Sequence, residues 1–202
     1  MRLIYGFICL CALLLPINSW AKTLVVLGDS LSAAYGISAE QGWVKLLDQR
    51  LQQQYPKQYK VVNASVSGET TSGALARLPK VLQQYKPDIL IIELGGNDAL
   101  RGQPPQQIQR NLDQMVRQAK TAKAKVVLFG MKIPPNYGAT YSKAFENTYA
   151  QVAKTHNIQL LPFFLDGVGG VSSLMQADRI HPNAKAQPRL LNNAWPVIRK
   201  VL

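Results

Sequence analysis

Five short runs rich in Val, Ile and Leu, separated by longer stretches with helically spaced apolar residues, restrict this chain to very few architectures. The runs fall at residues 23–27, 60–63, 88–94, 125–130 and 158–161. Continuous apolar strands of this kind are expected where helices cover both faces of a sheet. Strand and helix in alternation predict βα units and an α/β fold on a parallel sheet.

The stretches between the runs concentrate their apolar residues on one helical face, and we read each such stripe as core packing. Trp43, Leu46, Leu47 and Leu51 mark a first helix. Ala74, Leu75, Leu78, Val81, Leu82 and Tyr85 mark a second, which Pro79 is expected to kink or restart. A third carries Ile108, Leu112, Met115, Val116 and Ala119 after the start signal Pro104-Pro105. Tyr141, Ala144, Phe145, Tyr149, Val152 and Ala153 lie on a fourth, and a last helix is expected to be broken or bent by Pro188 and Pro196. No repeat or linker-like tract divides the chain, so one domain is expected over residues 22–202.

Residues 1–21 read as a secretory signal peptide: Arg2 is followed by an almost wholly apolar stretch from Leu3 to Leu15, and Ser19-Trp20-Ala21 offers small residues at a cleavage site. The apolar stretch is shorter than the roughly 20 residues a membrane span needs. Both cysteines, Cys9 and Cys11, belong to this segment, so the processed chain has no disulfide, thiolate metal site or cysteine nucleophile. Its fold rests on packing alone. The full chain carries a net charge of +12, of which Arg2 supplies one. The lysines and arginines are scattered and not interleaved with stacking aromatics, which argues against nucleic acid as a partner. A basic solvated surface instead favours anionic substrates and transient contact with an anionic membrane surface.

Small and polar residues cluster after three of the expected strands: Gly28-Asp29-Ser30, Ser65-Val66-Ser67-Gly68 and Gly95-Gly96-Asn97-Asp98. In an open parallel sheet, ligands bind at that edge. A serine there is inert without a base. Two histidines are available. His156 has polar neighbours and no carboxylate within four residues, so it is expected at a solvent-facing helix end. His181 follows Asp178 by three residues, close enough for the carboxylate to fold back onto Nδ1 and turn Nε2 toward a nucleophile. A surface Asp-His pair has the same spacing. Ser30 is the candidate nucleophile, and an N-cap serine is the competing reading. Acyl transfer also requires donors for an oxyanion, and the Gly68 N–H and Asn97 amide are suited to join the Ser30 N–H. A turn glycine and an Asx-turn are the plainer readings of those two residues.

The ensemble resembles the SGNH (GDSL) hydrolase family, on Val25-Val26-Leu27-Gly28-Asp29-Ser30-Leu31-Ser32, Asn63-Ala64-Ser65-Val66-Ser67-Gly68-Glu69-Thr70, Glu93-Leu94-Gly95-Gly96-Asn97-Asp98, Pro135-Asn136-Tyr137-Gly138, Leu161-Pro162-Phe163-Phe164 and the Asp178 to His181 segment. Within that family it is most similar to periplasmic thioesterase, lysophospholipase and arylesterase members from Gram-negative bacteria. The resemblance implies a flavodoxin-like three-layer α/β/α fold with a five-stranded parallel sheet in order 2-1-3-4-5. It also implies a monomer, no cofactor or metal, and hydrolysis of acyl esters, thioesters and lysophospholipids. Carried over to this chain, it makes Ser30, Asp178 and His181 catalytic, with Ser30, Gly68 and Asn97 forming the oxyanion hole. Leu100, Arg101, Gly102, Pro134, Tyr137 and Ile180 are the implied substrate contacts, and the segment from Leu100 to Pro105 is implied to be a mobile loop beside the acyl groove. Arg179 stands where glycine is common, and Asp166-Gly167-Val168-Gly169-Gly170-Val171 is rich in glycine for a wall of the site. A carbohydrate acetylesterase of the same fold, and a lipid-binding module with a decayed site, are the alternatives.

Overall fold

The structure, a computed structural model, describes residues 21–202, so the expected signal segment lies outside the described residues except for Ala21. Its centre is a five-stranded sheet, β1 (Lys22–Gly28), β2 (Tyr59–Asn63), β3 (Ile89–Glu93), β4 (Lys125–Phe129) and β5 (Gln159–Leu161). All four pairings are parallel, in the order β2-β1-β3-β4-β5. The strands differ from the sequence reading only by a residue or two at their ends, the usual spread at element boundaries. The fold class and strand order are those expected.

Among the described residues six α-helices accompany the sheet: α1 (Trp43–Gln54), α2 (Thr71–Tyr85), α3 (Gly96–Leu100), α4 (Pro105–Thr121), α5 (Ala139–His156) and α6 (Gln187–Arg199). Helix α1 packs on α6, while α4 packs between α2 and α5, giving helical layers on both faces. Residues Leu24 to Leu27 and Ile89 to Ile92 are buried throughout, so β1 and β3 form the centre of the core. Between the sheet and the α1/α6 layer, the rings of Trp43, Phe129 and Phe164 meet with centroids 5.1 to 5.7 Å apart. All three are fully buried.

The Pro104-Pro105 signal starts α4 as expected, and the internal prolines do not break their helices. Helix α2 runs without interruption through Pro79, at the cost of the N–H that would have met the Leu75 carbonyl. Pro188 sits in the first turn of α6, where no intrahelical N–H is needed, and α6 continues through Pro196. The short α3 was not expected; only five residues long, it has no amphipathic stripe to betray it.

His156 also departs from the reading of a solvent-facing helix end. Its side chain is only 10% exposed, and Nε2 lies 2.7 Å from Asp113 Oδ1 on α4. The same carboxylate accepts from Arg117 Nε at 2.7 Å, and these bonds hold Asp113 below the ordinary carboxylate range, Arg117 contributing most. The partner is 43 residues away, beyond any local window on the sequence. His156 thus joins α5 to α4.

The β1/β3 junction is where the strand order reverses. Loops leave β1 toward one side and β3 toward the other, opening a crevice at their C-terminal ends. Gly28 and Glu93 face each other there in register.

The aromatic cluster joins α1, β4 and the segment after β5, so its packing makes a prediction for stability. Phe164→Ala should lower the unfolding free energy by about 3–5 kcal/mol, measured by urea denaturation. A cost below about 1 kcal/mol would mean that the cluster is not packed as described.

Candidate active site

Ser30 lies two residues beyond Gly28, the last residue of β1, and no helix starts on it. The chain instead coils through residues 29–36, with Ala33 N–H donating to the Asp29 carbonyl and Tyr35 N–H to the Ser30 carbonyl. Ala34 takes a positive φ of 59° within this coil. The N-cap reading therefore does not hold, since the next α-helix begins at Trp43.

Under this turn lies a polar layer that the sequence reading did not anticipate. Glu93, fully buried at the end of β3, accepts the Ser32 hydroxyl at 2.6 Å, and Trp43 Nε1 donates to Ser32 Oγ at 3.2 Å. Burial, reinforced by the nearby Asp29 carboxylate, raises Glu93 well above the usual carboxyl range. Gly28 is required above Glu93: a Cβ there would stand 2.7 to 2.8 Å from Ser32 and Glu93 Oε2.

His181 reaches Ser30 from the far end of the chain. Its Nε2 is 2.9 Å from Ser30 Oγ, and its Nδ1 is 2.6 Å from Asp178 Oδ2. The other Asp178 oxygen accepts the backbone N–H groups of Ile180 and His181, both at 3.0 Å. The bond to the imidazole, then these amides, hold Asp178 down at about 2, so it is an anion throughout the neutral range. The fold-back turn requires Arg179 at φ 59°, the left-handed region that suits glycine. Gln176 ties the segment down: its side-chain amide donates to the Tyr35 and Pro182 carbonyls at 2.8 and 3.0 Å. The Tyr35 ring lies 4.5 Å from the His181 ring. Neither Gln176 nor Tyr35 carries a sequence signal, because both act through tertiary contact.

Gly68 lies in the loop after β2 with φ +76°, which again favours glycine, and its N–H has no protein acceptor among the described residues. Arg101 Nη2 donates to the Gly68 carbonyl at 3.2 Å. Asn97, in the first turn of α3, donates Nδ2–H to Asp29 Oδ2 at 3.0 Å, leaving its second amide hydrogen for another acceptor. The two loops are joined beneath by Asp98, which accepts both the N–H and the hydroxyl of Thr71 at the start of α2.

Asp29 is the residue whose importance the sequence hid. It is almost wholly inaccessible, and burial lifts its carboxyl from 3.8 to about 6 against the opposing pull of the Leu31 N–H, His181 and Asn97. At neutral pH it remains an anion that aims Asn97.

Ser30, Asn97 and His181 open on a cavity of about 500 Å³. Of the implied substrate contacts, Leu100, Pro134 and Ile180 line it. Arg101, Gly102 and Tyr137 do not; Arg101 and Tyr137 instead brace the neighbouring loop, Tyr137 through its hydroxyl to the Leu100 carbonyl at 3.2 Å. Gly102 turns the loop at φ +69° with nothing near it. Tyr141 fixes the same loop by donating to the Gln103 carbonyl at 2.6 Å. The rest of the wall is mostly apolar, from Leu31, Met131, Ile133, Phe163, Leu165 and Met175, with Gly169 and Gly170 of the glycine-rich segment. Arg179 is both exposed and part of the cavity mouth. Among the described residues no cluster of His, Cys, Asp or Glu is suited to a metal.

The GDSL-like lipase/acylhydrolase family matches residues 26–188. The chain belongs to that family. It is 52% identical over 194 residues to an esterase, TesA, of Pseudomonas aeruginosa, covering 96% of each chain. It is 46% identical over 168 residues to thioesterase 1/protease 1/lysophospholipase L1 of Escherichia coli, covering 83% of this chain and 79% of that one. A crystal structure of TesA superposes with a TM-score of 0.87 at 53% identity, covering 90% of this chain and all of the other. The chain is a hydrolase of the esterase type, as its sequence motifs led us to expect.

The raised carboxyl of Asp29 carries a signed prediction. A group with a raised folded-state value favours folding below its unfolded value of 3.8, and that advantage is lost as pH rises through about 6. Between pH 7.5 and pH 4 the unfolding free energy of the wild type should therefore gain on that of Asp29→Asn, by about 2–3 kcal/mol. Urea unfolding of both proteins at the two pH values measures this, and a constant difference would contradict the assignment.

Proposed function

We propose that this protein is an exported serine esterase and thioesterase that works through an acyl-enzyme on Ser30. The observation that carries the reading is the unbroken chain from Ser30 Oγ through His181 to the Asp178 carboxylate, opening onto an apolar cavity. His181 Nε2 takes the Ser30 proton as Oγ attacks the acyl carbonyl. The oxyanion is held by the backbone N–H groups of Ser30 and Gly68 and by Asn97 Nδ2–H, which Asp29 aims. His181 then gives the proton to the departing alcohol or thiol. Water enters, loses a proton to the same nitrogen and attacks the acyl carbonyl; the acyl–Oγ bond then breaks, Ser30 Oγ takes the proton back from His181 and the acid leaves, while Asp178 stays ionised and holds the imidazole in the required tautomer.

The lining favours acyl chains over sugars. A carbohydrate acetylesterase needs polar groups around the ring and little room beyond the acetyl, whereas this cavity is about 500 Å³ with mostly apolar walls. A binding module with a decayed site has no need of a hydrogen-bonded Asp-His pair aimed at a serine. Lysophospholipids fit the same reasoning, with an acyl tail for the cavity. Removal of residues 1–21 on export would place the enzyme in the periplasm. Among the described residues no helix is long and apolar enough to cross a membrane. One chain supplies every proposed catalytic group, so a monomer suffices.

Ser30→Ala should lower turnover of p-nitrophenyl butyrate by at least about 10³-fold and abolish labelling by a fluorophosphonate. Asn97→Ala should retain the labelling site but lose about 10²–10³ in kcat. Retained turnover in the serine variant would overturn the assignment. A panel of p-nitrophenyl esters from acetate to palmitate, beside lysophosphatidylcholine and an acyl-thioester, should show rates rising beyond acetate. Activity confined to acetyl groups, with release from acetylated xylan, would favour the carbohydrate reading.

A further inference from the structure

The positive charge of this protein is not spread evenly. In a parallel α/β domain the strand C-termini and the helix N-termini share one edge, here the candidate active site, and the helix C-termini share the other. Lys22, Lys60 and Lys125 stand at the starts of β1, β2 and β4. Lys57, Lys86 and Lys123 occupy the turns that lead from α1, α2 and α4 into the next strands. Lys120, Lys154 and Arg199 fall in the last turns of α4, α5 and α6, and Lys200 follows. All ten are exposed, and none is ion-paired among the described residues. Contacts tie three of them to the chain end and helix end on this edge: Lys22 and Lys125 reach the Leu202 and Val201 carbonyls at 3.5 and 2.7 Å, and Lys120 reaches the His156 carbonyl at 2.9 Å.

Only one acidic side chain, Asp88, lies in these turns and helix ends, and it is occupied by the Thr23 N–H at 2.8 Å. Cations at helix C-termini have an ordinary explanation, since each terminus carries about half a negative charge. Five helices end here, and their dipoles offset only about two to three of the ten cations. With the Asp88 side chain also subtracted, an excess of about six positive charges remains. The catalytic edge mixes signs: Lys45 pairs with Glu40, and Arg101, Lys132, Arg179, Lys185 and Arg189 share it with Asp29, Glu69, Asp98, Asp166 and Asp178. The aromatic rings on the basic edge, Tyr55, Tyr59 and Tyr85, are buried or half-buried, which suits a broad array of phosphates better than a strand stacked on exposed rings.

We infer that the edge formed by the strand starts and helix C-termini docks this protein on an anionic bilayer, with the catalytic edge turned away from the lipid. This rests on the proposed export only in placing such a bilayer within reach. Docking is electrostatic and reversible, because no exposed large apolar side chain among the described residues lies on this edge. Tyr35, Val66, Val171 and Ile180, the four large apolar side chains that are exposed, all lie in loops at the catalytic end. The competing geometry is therefore insertion of that apolar rim. In the docked geometry, substrates arrive from the aqueous side.

The test uses residues 22–202, which contain the whole sheet and core, and vesicles of phosphatidylglycerol and phosphatidylethanolamine. Sedimentation at low salt should show binding that falls steeply by about 0.15 M salt, where the screening length is about 8 Å. The variant K60Q/K86Q/K154Q/K200Q should bind at least about tenfold more weakly. The charge-matched variant K45Q/K80Q/K143Q/K185Q should change by less than about threefold. Both should hydrolyse p-nitrophenyl butyrate as the wild type does, which separates this inference from the esterase reading: a wild type that binds vesicles but hydrolyses no ester would sink only the latter. Equal loss in the two variants, equal binding to neutral phosphatidylcholine, or loss of binding only on Val66→Ser and Val171→Ser would overturn the basic edge as the docking surface. Binding to duplex DNA as tight as to the vesicles would overturn the lipid assignment.

Discussion

A buried carboxylate holds the candidate site together. Asp29 occupies the turn after β1, and through Asn97 Nδ2 it binds the loop after β3 at 3.0 Å, across the point where the strand order reverses. Its other oxygen accepts the Leu31 N–H at 3.0 Å and so shapes the turn that displays Ser30. Desolvating a carboxylate is costly, and the displacement of its titration to about 6 records that cost. The fold tolerates the cost where a precise relation between two loops is needed, the usual place for such local conflict.

The rest of the constellation is built outward from that bond. Glu93 below is a second buried acid, and its burial and the Asp29 charge both oppose its ionisation in the same apolar layer. It holds Ser32, which Trp43 holds in turn, and Trp43 belongs to the aromatic cluster between sheet and helices. The turn carrying Ser30 is thereby coupled to the core. His181 comes from a hairpin closed by the Met175 and Pro182 bridge and pinned by Gln176 to Tyr35 of the same turn. Serine, histidine and Asn97 thus converge through rigid supports, as positioning to a fraction of an ångström demands.

Much of this was legible in the sequence because it is local. The apolar runs announce strands, and Asp178 and His181 are three residues apart, within one turn. Ser30, Gly68 and Asn97 each follow a strand, and the parallel topology alone brings strand ends to one edge. What stayed hidden depends on distance along the chain. Asp29 is 68 residues from Asn97, Glu93 is 61 from Ser32, and Gln176 is 141 from Tyr35. His156 was misread for the same reason, since its partner Asp113 lies on another helix. The break expected as one outcome at Pro79 and Pro196 does not occur, because tertiary packing outweighs one missing hydrogen bond.

The central claim is a covalent one, that acyl groups pass through Ser30. Rapid acid quenching during turnover of p-nitrophenyl butyrate, followed by peptide mass spectrometry, tests it directly. A butyryl adduct on the peptide that contains Ser30 should form within the first turnover and disappear as substrate is exhausted. Steady turnover with no adduct at any quench time, or an adduct on another residue, would contradict it.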